Sequence, residues 1–244
     1  MSAAQRRVSL QPAYVLHHYP YRDTSLLVET FSRDLGRVGL ICRGARNARF
    51  RQRGLLQPFT PLLLSWVTRG ELATNTGVEP AGSLPRPIGA ALFAGFYLNE
   101  LLLRLLQRQD PHPALFMDYE AALGELARGE VQRCLRVFEK RLLDELGYGL
   151  LLDQEAETSR PLVPERYYLY RLELGPVAAA TAKPGDLVFP GSSLLSLCHD
   201  ELHDPDSLRD AKRLTQAALS LYLGDRPLKT REVFRQLQPV RQQG

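Results

Sequence analysis

Over the first 80 residues apolar and polar positions alternate with a period of two, in short runs broken by turn residues. Val38, Leu40 and Cys42, for example, alternate against Gly39, Ile41 and Arg43. This pattern predicts strands at Ala13 to Tyr19, Ser25 to Phe31, Arg37 to Arg43, Pro61 to Thr68 and Glu71 to Gly77. The intervening SRDLG and TRG carry the Asp and Gly of hairpin turns. After GSLPRPIG, whose Pro85 and Pro87 break any regular element, the period changes to that of helices. Ile88 to Gln109 is apolar nearly all round and reads as a central helix. Pro113 to Arg128 and Glu130 to Leu146 follow, the last closed by Gly147. From Leu150 to Gly191 the pattern loosens, with one strand-like run at YYLYRLEL, Tyr167 to Leu174. Asp206 or Ser207 can cap a helix running to Leu223 and ended by Gly224, and Thr230 a short last helix through Leu237.

Five short strands with long connections fit a small β-barrel, and the five-stranded barrel that repeatedly presents an open strand face and loops to single-stranded nucleic acid is the OB-fold. The expected class is therefore α+β: an OB-fold barrel over residues 1–82, then a helical domain over residues 88–244 with an irregular, partly β insertion at about residues 150–192. No internal repeat or low-complexity tract occurs.

Charge sharpens this division. The net formal charge is only +4, but residues 1–85 carry +6, residues 86–206 carry −7 and residues 207–244 carry +5. No carboxylate occurs between Asp34 and Glu71, a window holding Arg37, Arg43, Arg46, Arg49, Arg51, Arg53 and Arg69. An acid-free arginine block of this kind favours a polyanion as partner, because the planar guanidinium forks onto phosphate and its face stacks on bases. Phe50, inside the run, can stack on an unpaired base or anchor the loop in the core. A second basic element comprises Lys212 and Arg213, then Arg226, Lys229, Arg231 and Arg235, the last two one helical turn apart.

Other chemistries find less support. The N-terminus lacks the apolar core of a secretory signal, and Asn99, Glu100 and Arg104 interrupt the longest apolar run, so a cytoplasmic protein without a membrane span is expected. Cys42, Cys134 and Cys198 are odd in number and form no CxxC pair, which predicts three reduced thiols. CHDELHDPDSLRD mixes His199, His203 and carboxylates, and Asp200, Glu201, Asp204 and Asp206 could hold magnesium for a nuclease. Pro205 and the helix start explain the same acids as turn and capping residues. There is no Walker A loop, HExxH, GxSxG or GxGxxG, and neither a cofactor nor a metal is expected. The helix EVQRCLRVFEKRLLDELGYG sets an apolar side beside Arg133, Arg136, Lys140 and Arg141. It reads either as ordinary packing or as a basic-rimmed groove for an acidic peptide.

Five stretches, taken together and in order, resemble the bacterial RecO recombination and repair family: GRVGLICRGAR, LQPFTPLLL, YLNELLLRLL, FEKRLLDELGYG and YLGDRPLKTREVFRQ. The resemblance implies an OB-fold followed by a helical domain and no catalytic site. It also implies binding of single- and double-stranded DNA, annealing of complementary strands, contact with the tail of the single-stranded-DNA-binding protein SSB, and cooperation with RecR in loading RecA. On that reading Arg37, Arg43, Arg46, Arg49, Phe50, Arg51 and Arg53 form the main DNA surface, with Lys212, Arg213, Lys229, Arg231 and Arg235 as a second. The acidic SSB tail is expected near Arg133, Arg136 and Lys140. Some relatives carry a four-cysteine zinc site in the region matching LLDQEAETSRPLVPERYY; this stretch has no cysteine, so zinc is not carried over. An RNA-binding OB protein of the translation machinery is the competing reading, since phosphate contacts alone do not separate RNA from DNA.

Overall fold

The computed structural model describes residues 6–47, 54–68, 72–179, 183, 185–224, 226–230 and 233. Contacts divide the chain into two compact units, one of residues 1–129 with 227–244 and the other of residues 130–226.

The first unit holds the barrel. Strands β1 (Arg6–Tyr21), β2 (Ser25–Ser32), β3 (Gly36–Cys42), β4 (Leu62–Thr68) and β5 (Ala73–Pro80) close in the order β1-β2-β3-β5-β4, with β3 and β5 parallel. Closure depends on the length of β1. Its first half pairs with β4 and its second half with β2, and Ala13 faces Leu62 on one side and Ser32 on the other. Register shifts between Val8 and Gln11 and between Val15 and His17 bend the strand around the barrel, as bulges do. Period two then sends Val15, Val28, Val38, Leu40, Leu62, Leu64 and Trp66 inward, all buried. Side chains of this kind contribute about 1.5–3 kcal/mol each on full burial. The SRDLG turn forms as expected, and Gly36 is required there: its φ is +65° and a Cβ would lie 1.9 Å from the Asp110 carbonyl oxygen. The expected TRG turn lies largely outside the described residues.

Two helices, α1 (Ala90–Leu105) and α2 (Pro113–Ala127), cover part of the barrel's outer surface. Tyr14 and Phe31, paired across β1 and β2 and pointing out of the barrel, pack against Phe116 and Tyr119 of α2. The bulge at Val15/His17 takes Leu16 out of the β1–β2 pairing, and its carbonyl oxygen accepts from buried Asn99, whose own oxygen accepts from Tyr119. The polar residue that breaks the apolar run thus ties β1, α1 and α2 together. Glu100 accepts from the backbone N–H of Lys229 and Thr230 and from the Thr230 hydroxyl, holding the returning C-terminal segment. The first helix is shorter than its apolar pattern, because Arg108 and Gln109 run alongside Arg37 as an extended bridge.

The second unit contains α3 (Val131–Glu145), a three-stranded sheet ordered β7-β6-β8 (Gly175–Ala178, Tyr167–Arg171, Val188–Pro190), α4 (Gly191–Cys198) and α5 (Pro205–Leu223). Its core gathers Val137, Tyr168, Tyr170, Phe189, Leu194, Leu197 and Leu214. YYLYRLEL was expected as one strand; it breaks after Arg171 into a hairpin whose loop places Glu173 at φ +66° and the following Gly175 at φ +120°. Asp204, and not Asp206 or Ser207, caps α5, its side chain accepting from the Ser207 N–H. Most of the expected helix at Thr230 to Leu237 lies outside the described residues.

Candidate nucleic-acid interface

Where α1 and α2 leave the barrel uncovered, the outward positions of β1, β2 and β3, joined at one edge by β5, form an open face. His17, Tyr19 and Tyr21 alternate along β1, and register sets His17 opposite Glu29, Tyr19 opposite Leu27 and Tyr21 opposite Ser25. Leu27 faces Ile41 on β3, and Ile41 faces Thr74 on β5, so Tyr19, Leu27, Ile41 and Thr74 make one row across four strands. Tyr19 is 47% exposed, and its ring meets that of exposed His17 edge-on at 4.3 Å. Desolvation, then His18 and Lys229, lower the His17 pKa against the opposing pull of Glu29, so this imidazole is a neutral ring at neutral pH. Exposed rings on a β face can stack on unpaired bases at about 1–3 kcal/mol per base.

Cations border this face. The Arg22 guanidinium lies 5.3 Å from the centre of the Tyr21 ring. Arg43 follows directly on β3 and is exposed, with no ion pair among the described residues. Arg46 is exposed too, and its Nη1 donates to the carbonyl oxygens of Arg22 and Asp23 while its backbone N–H donates to Thr24. It fixes the turn after β3 onto the β1–β2 turn, so three arginines converge beside the aromatic row. None of His17, Tyr19, Tyr21, Leu27, Ile41 or Arg22 was singled out from sequence; the signal was the period-two aromatics of HHYPY.

Several expected site residues lie elsewhere. Arg37 is a correction: its Nη1 donates to the Leu103 carbonyl, its Nε is 3.7 Å from buried Glu29, and burial lowers its pKa. Arg108 also pairs with Glu29. Arg49, Phe50, Arg51 and Arg53 lie outside the described residues, as do Arg231 and Arg235. Lys212 and Arg213 are both exposed, and Arg213 lies over the Phe189 ring at 5.0 Å and 3.7 Å from Asp210. Lys229 is exposed and belongs to the barrel's unit, not to that of Lys212 and Arg213.

The basic set on α3 is a second correction. Arg136 and Lys140 are buried, at 3% and 8% exposure. Arg136 pairs with Glu139 at 2.9 Å, and the Thr215 hydroxyl accepts from Arg136 and donates to Glu139. Lys140 donates to the Leu197 and Cys198 carbonyls and pairs with Asp200 at 2.6 Å, and Arg133 donates twice to the Asp200 carbonyl. Lys140 thus satisfies the C-terminal carbonyls of α4 and half-buried Arg133 the turn beyond it, and the buried heads of Arg136 and Lys140 are turned inward, away from an acidic peptide.

Contacts within this unit hold three of the four supposed nuclease carboxylates, and Glu201 is exposed. Asp200 is held by Lys140 and Arg141, Asp204 caps α5, and Asp206 pairs with Arg209 at 2.9 Å. His199 ends α4 and His203 lies beyond it, so the two do not share a helix face. No group of three or more metal-ligating side chains stands in position to hold an ion among the described residues, and none of their helices is long and apolar enough to cross a membrane.

Comparison with known proteins bears on this geometry. Residues 7–84 match the family model for the N-terminal part of recombination protein O, and residues 88–232 match the model for its C-terminal part. The chain belongs to the RecO family. It is 50% identical over 232 residues to the DNA repair protein RecO of Nitrosococcus oceani, covering 95% of this chain and 94% of that protein. The RecO of Alkalilimnicola ehrlichii is 52% identical over 233 residues, covering 95% of this chain and 92% of its own length. That of Aromatoleum aromaticum is 45% identical over 236 residues, covering 97% and 99%. Both RecO parts are thus represented in one chain, and the open barrel face falls within the N-terminal one.

Proposed function

We propose that this RecO-family chain serves DNA repair in the cytoplasm by binding DNA, and that the outer face of β1, β2 and β3 is where an unpaired strand lies. The observation that carries the reading is the continuity of exposed His17 and Tyr19 and half-buried Tyr21 with Arg22, Arg43 and Arg46. Rings supply sequence-tolerant stacking, and guanidinium groups neutralise the adjacent phosphates. Arg49, Phe50, Arg51 and Arg53 of the acid-free window are assigned to the same DNA contact, and further phosphate contacts are assigned to Lys212 and Arg213 in one unit and, separately, to Lys229, Arg231 and Arg235 in the other. Arg37 is withdrawn from the set.

The mechanism is electrostatic and entropic. Two strands repel through their phosphates; each arginine contact releases condensed counterions, so a protein with two basic surfaces holds complementary strands close enough to pair. Base pairing then drives annealing without bond making. Family membership supports SSB, RecR and, functionally, RecA as partners, but the acidic SSB tail requires a site other than Arg136 and Lys140. The test is annealing of complementary strands already coated with SSB. Acceleration by the intact chain, lost in a Tyr19→Ala/Arg43→Ala/Arg46→Ala variant of normal stability, is the expected result; no acceleration, or full activity in that variant, refutes the reading. Matched RNA and DNA oligomers in competition separate it from an RNA-binding role.

A further inference from the structure

The second unit is electrically opposite to the first: residues 130–226 carry twelve basic and sixteen acidic side chains, in a chain whose net formal charge is +4. Within it, a cavity of about 170 Å³ opens between the end of α3, the β6–β7 hairpin and the end of α5. Its walls are Leu150, Leu151, Leu172, Leu174, Tyr170 and Ala218, and its mouth carries Tyr148, Tyr222, Leu221 and Glu173. Tyr148, Leu174 and Leu221 are 45%, 47% and 49% exposed, a clustering of large apolar groups that marks interaction sites. The rings of Tyr148 and Tyr222 stack at 3.7 Å and 15°, leaving an outer face of the exposed Tyr148 ring toward solvent.

The only charged side chain lining this cavity among the described residues is the Glu173 carboxylate. The hairpin holds it there, in the left-handed conformation between paired Arg171 and Gly175. Its field reaches the tyrosine pair: after desolvation, Glu173 and Tyr148 hold the Tyr222 phenol above its usual range. A second carboxylate, Asp144, sits behind the wall, where a Cβ on Gly149 would lie 2.7 Å from its Oδ1. Arg171, next along β6, points to the opposite face of the strand and lies 4.0 Å from Glu157. Apolar walls, a π face and a carboxylate at the rim form the complement of a cation attached to an aliphatic chain.

We propose that this cavity is a docking site for a basic linear segment of a partner protein, which inserts an aliphatic side chain between Leu151 and Leu221 and lays an arginine or lysine on Tyr148 beside Glu173. The site is distinct from the DNA-binding reading and does not depend on it.

Fluorescence anisotropy of the full chain tests the proposal, using a labelled hexapeptide of alternating leucine and arginine and its leucine–glutamate counterpart. The basic peptide is expected to bind and the acidic one to bind at least tenfold more weakly. Glu173→Lys should weaken the basic peptide about tenfold and Tyr148→Ala by a similar factor. Tyr148→Phe, which keeps the π face, should bind like the parent, and Arg43→Ala should leave the affinity unchanged. Equal affinity for both peptides, no binding of the basic one, or a basic-peptide affinity indifferent to both Glu173→Lys and Tyr148→Ala overturns the proposal. Circular dichroism of each variant shows whether a loss of binding reflects loss of fold; if Tyr148→Ala unfolds, Glu173→Lys on the exposed loop decides alone.

Discussion

Two basic stretches that look alike in sequence have opposite fates in the structure. On α3, Arg133, Arg136 and Lys140 sit beside an apolar stripe and are drawn into the second unit with it, where Glu139, Asp200 and the carbonyls ending α4 satisfy them. After β3, Arg43 and Arg46 sit on a turn that buries only the small Ala45 between them and leaves both guanidinium groups exposed. Charge density alone therefore does not identify a binding surface. What decides is whether a cation's own element buries the side of the chain that carries it, and whether an acid waits there.

The largest expected consequence of that difference concerns stability. Arg136→Ala takes from buried Glu139 a cation 2.9 Å away, and removing one partner of such a pair costs about 3–5 kcal/mol. Arg43→Ala, at an exposed position, should stay within about 0.5 kcal/mol of the parent. Urea denaturation followed by circular dichroism measures both, and similar midpoints for the two variants would abolish the contrast. Next in size is base stacking. Tyr19→Ala is expected to weaken single-stranded DNA binding by about 1–3 kcal/mol, roughly fivefold to a hundredfold, while leaving the salt slope and duplex binding unchanged. An equal loss on duplex DNA would assign Tyr19 to structure instead of stacking.

The barrel was legible because its evidence is local: a two-residue period, turn residues at the ends and a proline break at Pro85 and Pro87. Its binding face was less so. The acid-free window hid Glu29, which lies outside the window in the chain but opposite Gly39 across the ladder, and so Arg37 was miscounted as free. Conversely, HHYPY carried the aromatic row openly, but its value depends on Leu27 and Ile41 standing beside it, a matter of register that no single stretch contains. The β6–β7 hairpin and α4 were missed because their runs are short and their turn rests on left-handed Glu173, a residue type that signals no turn.

A smaller effect separates the arginines near that face. Replacing Arg43 and Arg46 together by Ala should lower the slope of log affinity against log salt by about 0.7 per lost phosphate contact on single-stranded DNA. Arg37→Ala should leave the slope as it is and lower stability, because it strips a partner from Glu29. Isotherms at four salt concentrations distinguish the two, and a slope change in Arg37→Ala would return that residue to the surface.

The smallest expected effect is one of pH, and its sign follows from His17. Its folded pKa lies below the usual 6.5, with desolvation first, His18 and Lys229 disfavouring the charge and Glu29 favouring it. Well above 6.5 the ring is neutral in both folded and unfolded chains and contributes no pH dependence to stability. As the pH falls from 6.5 towards the lower folded value, the unfolded chain takes up a proton that the fold resists, and stability declines. A strand laid across Tyr19 reverses that balance, because nearby phosphates favour the imidazolium, so binding takes up a proton and affinity rises as the pH falls through the same window. His17→Gln should flatten both trends, whereas His18→Gln should leave the affinity trend in place. Binding and denaturation curves at half-unit steps below neutrality measure the two, and an affinity that falls with pH in the parent would move the strand away from β1.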